Sequence, residues 1–375
     1  MNWKIPLFKI YWDEEDTKSV TEAIEAGMNW AAGPKVEEME EAMEEYVGSK
    51  YCVAFNSGTS ALHAALMAHE VGPGKEVIVP SFTFIATANS PLFVGARPIF
   101  ADIEREFFGL DPEDVKEKIT QRTAAIIPIH YGGCPCKIRE LKEIAEDHNL
   151  LLIEDAAESL GAKIIDEKVG SFGDSAMFSF CQNKIVTTGE GGAITTDSQS
   201  VNEKLRLIRS HGRLETSGYF SSIEINDYIT LGYNFRLSNL IAALGVSQLR
   251  KADKIIKMRR ENAEYLTSKI FREIREIRPQ TCPDDWYHVY QMYTIEAEKR
   301  DDLMKYLAEK GIMTKVYFSP VHHTHFYKKV LGYEVNLPVT EDLSSRVLTL
   351  PFYPTMAREE MDYVVHEIRG FYDEI

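Results

Sequence analysis

From about Lys50 to Thr196 the chain alternates short β-rich runs with amphipathic stretches, and this alternation restricts the possible folds more than any other feature. The runs are YCVAFN, EVIVPSF, ARPIFADI, AAIIPIHY, LLLIEDAA, SAMFSF and GAITTD. Several are apolar on successive residues, as strands are when both faces of a sheet are covered. Between them, SALHAALMAHEV and CKIRELKEIAEDHN carry helical spacing. The pattern predicts an α/β domain with a mostly parallel central sheet. Ligands of such sheets bind at the carboxyl ends of strands. Residues just after strands are therefore the candidates for function.

Beyond Ser238, the stretch NLIAALGVSQLRKADKIIKMRRENAEYLTSKI reads as one long helical run leading away from this domain. After it, VYQMYTIEA and TKVYF read as strands, and RDDLMKYLAEKG and REEMDYVVHEIRGF as helices. The expected division is an N-terminal segment with a large domain over 1–251 and a smaller C-terminal α/β domain over 252–375. A chain of 375 residues can give each its own core. The polar segment RLETSGYFSSIEIND, Arg213 to Asp227, is expected to be a mobile or functional loop.

A formal charge of −16 argues against nucleic acid, whose phosphates need clustered Lys and Arg. It leaves room for a phosphorylated small molecule, which a few local donors can hold. The opening MNWKIPLFKIYWDEED lacks the pattern of a signal peptide, and no run approaches the roughly 20 apolar residues of a membrane helix. Five scattered cysteines form no disulfide framework. A cytoplasmic location is expected.

Three strand ends carry chemistry. After Phe55, the turn Asn56-Ser57-Gly58-Thr59-Ser60 enters a helix. Its free amides and the helix dipole make a phosphate site, with the Thr59 and Ser60 hydroxyls as further donors. Taken alone, the same turn reads more readily as a plain N-cap. Glu154 and Asp155 end the apolar run LLLIED, where an acid needs a partner. A buried carboxylate can keep a proton on a heteroaromatic nitrogen, or Asp155 can simply cap a helix. In FSFCQNKIVTTGEGG, Lys184 stands between a strand and a glycine-rich turn, where it can form a Schiff base with an aldehyde cofactor. Ser179 can reach the same phosphate as Thr59, and the GEGG glycines let the backbone turn tightly behind the lysine. A phosphate cradle, an acid for a ring nitrogen and a lysine for an aldehyde together describe a pyridoxal phosphate site.

Other residues carry weaker signals. His322, His323 and His325 in PVHHTHFY have no carboxylate or cysteine near them at ligand spacing, so no metal is expected. Cys134 and Cys136 form a lone C-x-C with packing or loop roles. His63 reads as a packed histidine and Cys181 as a small buried apolar residue.

Almost end to end, the chain resembles the sugar aminotransferases of the DegT/DnrJ/EryC1/StrS group, which have the type I, aspartate aminotransferase-like fold. The stretches that carry the resemblance include FNSGTSALHAAL, VIVPSFTFIATANS, IEDAAESLGA, FSFCQNKIVTTGEGG, RSHGR and LGYNFRLSNLIAALG. PVHHTHFY and LTLPFYPTM extend it into the C-terminal part, although His323 and His325 depart from the group's usual residues.

The resemblance implies that Lys184 binds pyridoxal 5'-phosphate covalently and later shuttles a proton, with Asp155 as partner of the pyridine nitrogen. It places Thr59, Ser60 and Ser179 on the phosphate together with the Gly58 turn, and Phe84 as an aromatic ring stacked on the cofactor. Asn234 falls where the neighbouring subunit reaches the phosphate, which implies a homodimer with shared sites. Glu158 falls at a position near the cofactor's phenolic oxygen that His or Gln often holds and that is Glu in the perosamine-like branch. His322 matches a histidine near the sugar.

The implied reaction moves an amino group from L-glutamate to a nucleotide-linked keto-6-deoxy sugar by ping-pong kinetics, with C-4 favoured by analogy to perosamine enzymes. Two alternatives stand beside it. A pyridoxamine-dependent sugar dehydratase would carry histidine at the position of Lys184. A regulatory protein would need a DNA-binding module or a basic surface.

Overall fold

The computed structural model describes residues 3–214 and 227–374. Most of the Arg213 to Asp227 loop, residues 215–226, lies outside the described residues.

Seven strands form the main sheet: β1 (Tyr51–Phe55), β2 (Glu76–Pro80), β3 (Arg97–Ala101), β4 (Thr123–Ile126), β5 (Leu151–Asp155), β6 (Ser175–Ser179) and β7 (Gly192–Thr196). Their spatial order is β1-β7-β6-β5-β4-β2-β3. β7 pairs antiparallel with β1 and β6, while the other pairings are parallel. This is the mostly parallel sheet of the type I aminotransferase fold.

Alternation along each strand explains why the runs are continuously apolar. Val77, Val79, Ile153, Met177 and Ile194 join one core with the helix Gly58–Ala68. Ile78, Ile126 and Leu152 point the other way, onto the helix Ile138–His148 through Leu141 and Ile144. The same pleat separates two neighbouring acids: Asp155 shares the face of Ile153, and Glu154 that of Leu152.

The long helical run expected after Ser238 is two helices, Asn239–Leu249 and Ala252–Glu273. The break falls at Lys251, whose ammonium meets Asp13 at 2.6 Å and Asp16 at 2.7 Å. A second sheet pairs Ile277–Pro279 and Val347–Leu350 with the central strand Tyr293–Ala297. The helices Arg300–Glu309 and Arg358–Asp373 cover it through Leu303, Leu307, Met361 and Val365. TKVYF, expected as a strand, contributes one isolated bridge, Lys315 to Thr349. Ile5 belongs to this same core and bridges Ile312, so the chain's first residues pack with its last third. Among the described residues no helix is long and apolar enough to cross a membrane.

Candidate active site

The carboxyl ends of β1, β2, β5 and β6 converge, and two glycines make the convergence possible. A Cβ on Gly192, at the start of β7, would stand 2.6 Å from the Gly58 amide nitrogen, so only glycine lets this strand lie against the turn after β1. A Cβ on Gly58 would lie 3.0 Å from Met177 Sδ and 3.5 Å from Ser179 Oγ, which places Ser179 beside the first turn of the helix. Of the glycines in GEGG, Gly189 alone has positive φ, +83°. The turn is tight there, while Gly191 and Gly192 serve close approach. Ser57 caps the helix, accepting from the Ser60 amide at 3.1 Å. Ser60 Oγ donates to Asn56 Oδ1 at 2.7 Å.

Asp155 is buried at the end of β5. Its Oδ2 accepts from Thr87 Oγ1 at 2.6 Å and its Oδ1 from the Ala157 amide at 3.1 Å. Burial raises its pKa, the Thr87 and Ala157 bonds oppose the rise, and Lys184 acts on it only through space. Glu158, in the turn that follows, accepts from the Gly132 amide at 2.9 Å through Oε2. Its Oε1 stands 3.4 Å from Lys184 Nζ. Phe84 precedes the helix Ile85–Phe93 as its N-cap with 58% of its surface exposed, its ring centroid 6.2 Å from that of Phe318.

The sequence profile described as the DegT/DnrJ/EryC1/StrS aminotransferase family matches residues 11–369. The chain is 33% identical to GDP-perosamine synthase of Escherichia coli O157:H7, with 99% of each chain covered. It is 35% identical to the spore coat polysaccharide biosynthesis protein SpsC of Bacillus subtilis, over 95% of this chain and 94% of that one. Helicobacter pylori PseC, described as an aminotransferase involved in pseudoaminic acid biosynthesis, superimposes with a TM-score of 0.92 at 28% identity, over 99% of this chain and all of that one. The chain belongs to the DegT/DnrJ/EryC1/StrS aminotransferase family.

The pocket's donor set fits the cofactor of this family, pyridoxal phosphate. The Gly58 turn brings a helix N-terminus, with Thr59 in its first turn, beside Ser179, a setting that suits a phosphate. A buried carboxylate held only by neutral donors is short of a positive partner, which a protonated ring nitrogen would supply. Glu154, the other acid of the pair, is fully committed on the opposite face. It accepts from the amides of Gly170, Phe172 and Gly173, each at 2.8 Å, and lies 3.1 Å from His130 Nε2. The Cys136 amide donates to His130 Nδ1, so the proton of that ring sits on Nε2, toward Glu154.

Asn234 has an exposed side chain on a fixed backbone. Its carbonyl accepts from Asn56 Nδ2 of the same chain at 3.3 Å, and it bridges Ser210. His322 is buried, with Nδ1 2.6 Å from Ser81 Oγ just after β2. The sequence offered no carboxylate near the three histidines, but folding supplies one: Glu341 Oε1 lies 3.4 Å from His322 Nε2 and 3.8 Å from His323 Nε2. Its helix, Pro338–Arg346, abuts the histidine turn only in the fold.

His63 packs among Phe93, Tyr233 and Phe235, with ring centroids 5.0 to 5.6 Å away. Cys134 and Cys136 are buried. Cys181 is half-buried with Sγ 3.8 Å from Glu190, at a polar edge and not in an apolar interior. Sequence reading missed Thr87 altogether. The one signal available was its place in TFIATAN, four residues after Thr83, whose hydroxyl it meets at 2.8 Å.

Proposed function

We propose that this family member moves an amino group from L-glutamate to a nucleotide-linked 4-keto-6-deoxy sugar by a ping-pong mechanism, with pyridoxal phosphate as cofactor. The observation that carries the reading is the pairing of Lys184 with Glu158 at 3.4 Å, next to a buried Asp155 that has only neutral donors. The sugar and the C-4 position rest on similarity to relatives named GDP-perosamine synthase.

The Gly58 amide and the hydroxyls of Thr59, Ser60 and Ser179 would bind the phosphate at the helix N-terminus. The exposed Phe84 ring would cover one face of the cofactor. When bound, pyridoxal phosphate supplies an electron sink that acidifies the α-proton of the amino donor. Asp155 keeps the proton on the ring nitrogen, and Thr87 and Ala157 fix its orientation. Lys184 Nζ takes the donor's α-proton and redelivers it, while Glu158 Oε1 offsets the charge gained. By the resemblance, His322, whose ring is braced by Ser81, would lie on the sugar side of the pocket.

The reading includes a cytoplasmic homodimer in which Asn234 completes the partner's phosphate site. Large exposed apolar groups flank that residue, Ile229 and Leu231, and Met28 and Trp30 are exposed as well. Such surface is typically covered by a partner.

The test is incubation with L-glutamate and a panel of nucleotide-linked keto sugars, with the new amine located by NMR. An amine at C-4 of a 6-deoxy sugar is the expected product. Amination at C-3, or none across the panel with glutamate consumed by other ketones, overturns the reading.

A further inference from the structure

We propose that His322, His323 and Glu341 form a binding site for a divalent first-row transition-metal ion, zinc foremost, on the flank of the catalytic pocket. The three donor atoms lie within 4.8 Å of one another. Two imidazoles and a carboxylate are a common donor set for zinc. At bond lengths near 2.0–2.1 Å, two ligands of a tetrahedral ion stand about 3.4 Å apart. Glu341 Oε1 meets that spacing with His322 Nε2, at 3.4 Å, and nearly so with His323 Nε2, at 3.8 Å. The exposed His323 ring can close the remaining gap by rotation.

The buried member of the set points to a missing ligand. His322 is 3% exposed, yet its Nε2 makes no hydrogen bond among the described residues. It faces Glu341 off the hydrogen-bond direction. A buried polar atom left without a partner is costly, and a cation between the two groups would satisfy both. The support around the donors is in place as well. The opposite nitrogen of His322 is 2.6 Å from Ser81 Oγ, and the His322 amide donates to the same oxygen at 3.1 Å. Such a partner fixes ring orientation in metal sites. Glu341 Oε1 accepts from the Leu337 amide at 3.3 Å. Asp102 holds the same helix end, accepting from the amides of Val339 and Thr340 at 2.9 and 2.8 Å.

Three protein ligands leave a fourth position, on the exposed side of His323, for water or an oxygen ligand. The ion would tie the helix Pro338–Arg346 to the turn Val321–His323, and through Ser81 to the segment carrying Phe84. The inference does not depend on the sugar or the donor being correctly assigned.

The test uses the holoenzyme, stripped with chelator and dialysed, then titrated with Co²⁺ and, separately, Zn²⁺. One ion per chain is expected, with visible Co²⁺ absorption that Zn²⁺ displaces. His323→Ala and Glu341→Gln should each weaken binding by about tenfold or more, with the cofactor absorbance retained as evidence of folding. His325→Ala, outside the cluster, should bind as wild type. Substoichiometric uptake, or equal affinity in wild type, His323→Ala and Glu341→Gln, overturns the site. So does a loss in His325→Ala as large as that in His323→Ala.

Discussion

Lys184 Nζ stands 3.4 Å from Glu158 Oε1, and the other oxygen of that carboxylate accepts the Gly132 amide at 2.9 Å. Glu158 is thus fixed by backbone, and the lysine answers to it. If Lys184 carries the cofactor, borohydride should attach it at Lys184 and nowhere else. Lys184→Ala should retain noncovalent cofactor and lose both half-reactions. Peptide mapping of the reduced protein decides the matter, since a label on any other lysine removes the central assignment.

The two carboxylates of the pocket should not be equivalent. Asp155→Asn should lower turnover by about 100-fold or more, the scale of a lost proton-holding group, because a neutral amide cannot keep the ring nitrogen protonated. Glu158→Gln should cost about tenfold or less, since an amide still accepts from Gly132. Single-turnover rates with glutamate would show the order, and the reverse order would mean that the two roles are exchanged. Glu154 is no longer a candidate, since its side chain is spent on the opposite face of the sheet.

Burial raises the Asp155 pKa above its ordinary 3.8, so the folded apo chain binds this proton more tightly than the unfolded one. Stability therefore falls as pH rises from about 4 through the folded value, and the loss is complete above it. Asp155→Asn has no such loss. The amide forfeits a hydrogen bond at every pH, so the informative quantity is the slope and not the offset. In cofactor-free protein, the melting temperature of the variant relative to wild type should climb between pH 4 and pH 8. The climb should correspond to about 1.4 kcal/mol for every tenfold by which folding tightens the carboxyl's hold on its proton. A flat difference would place another charge beside Asp155.

Gly192→Ala should damage the phosphate cradle from a distance. The new Cβ would meet the Gly58 amide and the Ser57 carbonyl carbon at 2.6 Å, and backbone cannot move aside as a side chain can. Overpacking of this kind costs about 1–3 kcal/mol. Cofactor affinity should drop by at least about tenfold. Gly58→Ala should be milder for stability, because its closest neighbour is the flexible Met177 at 3.0 Å. Thermal melts and cofactor titration of both variants measure the difference.

The exposed Asn234 side chain leads to a complementation experiment. Lys184→Ala and a disruptive Asn234 variant should each be nearly inactive as homodimers. In a mixed dimer with shared sites, one site collects both lesions and the other has neither. Activity should return toward one working site per mixed dimer after the two are unfolded and reassembled together. If Asn234 serves its own chain, beside Asn56, every site keeps one lesion. Mixed dimers confirmed by mass spectrometry without recovery would refute sharing.

Local sequence was enough for the strands of the large sheet, because apolar runs between glycines and helical stretches have few other ways to be buried. It also marked Lys184, Asp155 and the Gly58 turn, since each follows a strand and strand ends face ligands. What local sequence does not carry is the identity of a distant partner. Periodicity says that a residue is buried but not against what. The pleat puts Glu154 and Asp155 on opposite faces, yet only the assembled sheet decides that Asp155 looks toward Thr87 and Glu154 toward the amides of Gly170 to Gly173. Nothing near position 184 announces Gly132 as the anchor of Glu158, and nothing near position 5 announces a core made with Ile312. Glu341 joins His322 and His323 because Asp102 holds the end of its helix against the turn, a contact between segments more than 200 residues apart. Pairings of that kind are fixed by chain closure and packing, and these act only once the whole chain has folded.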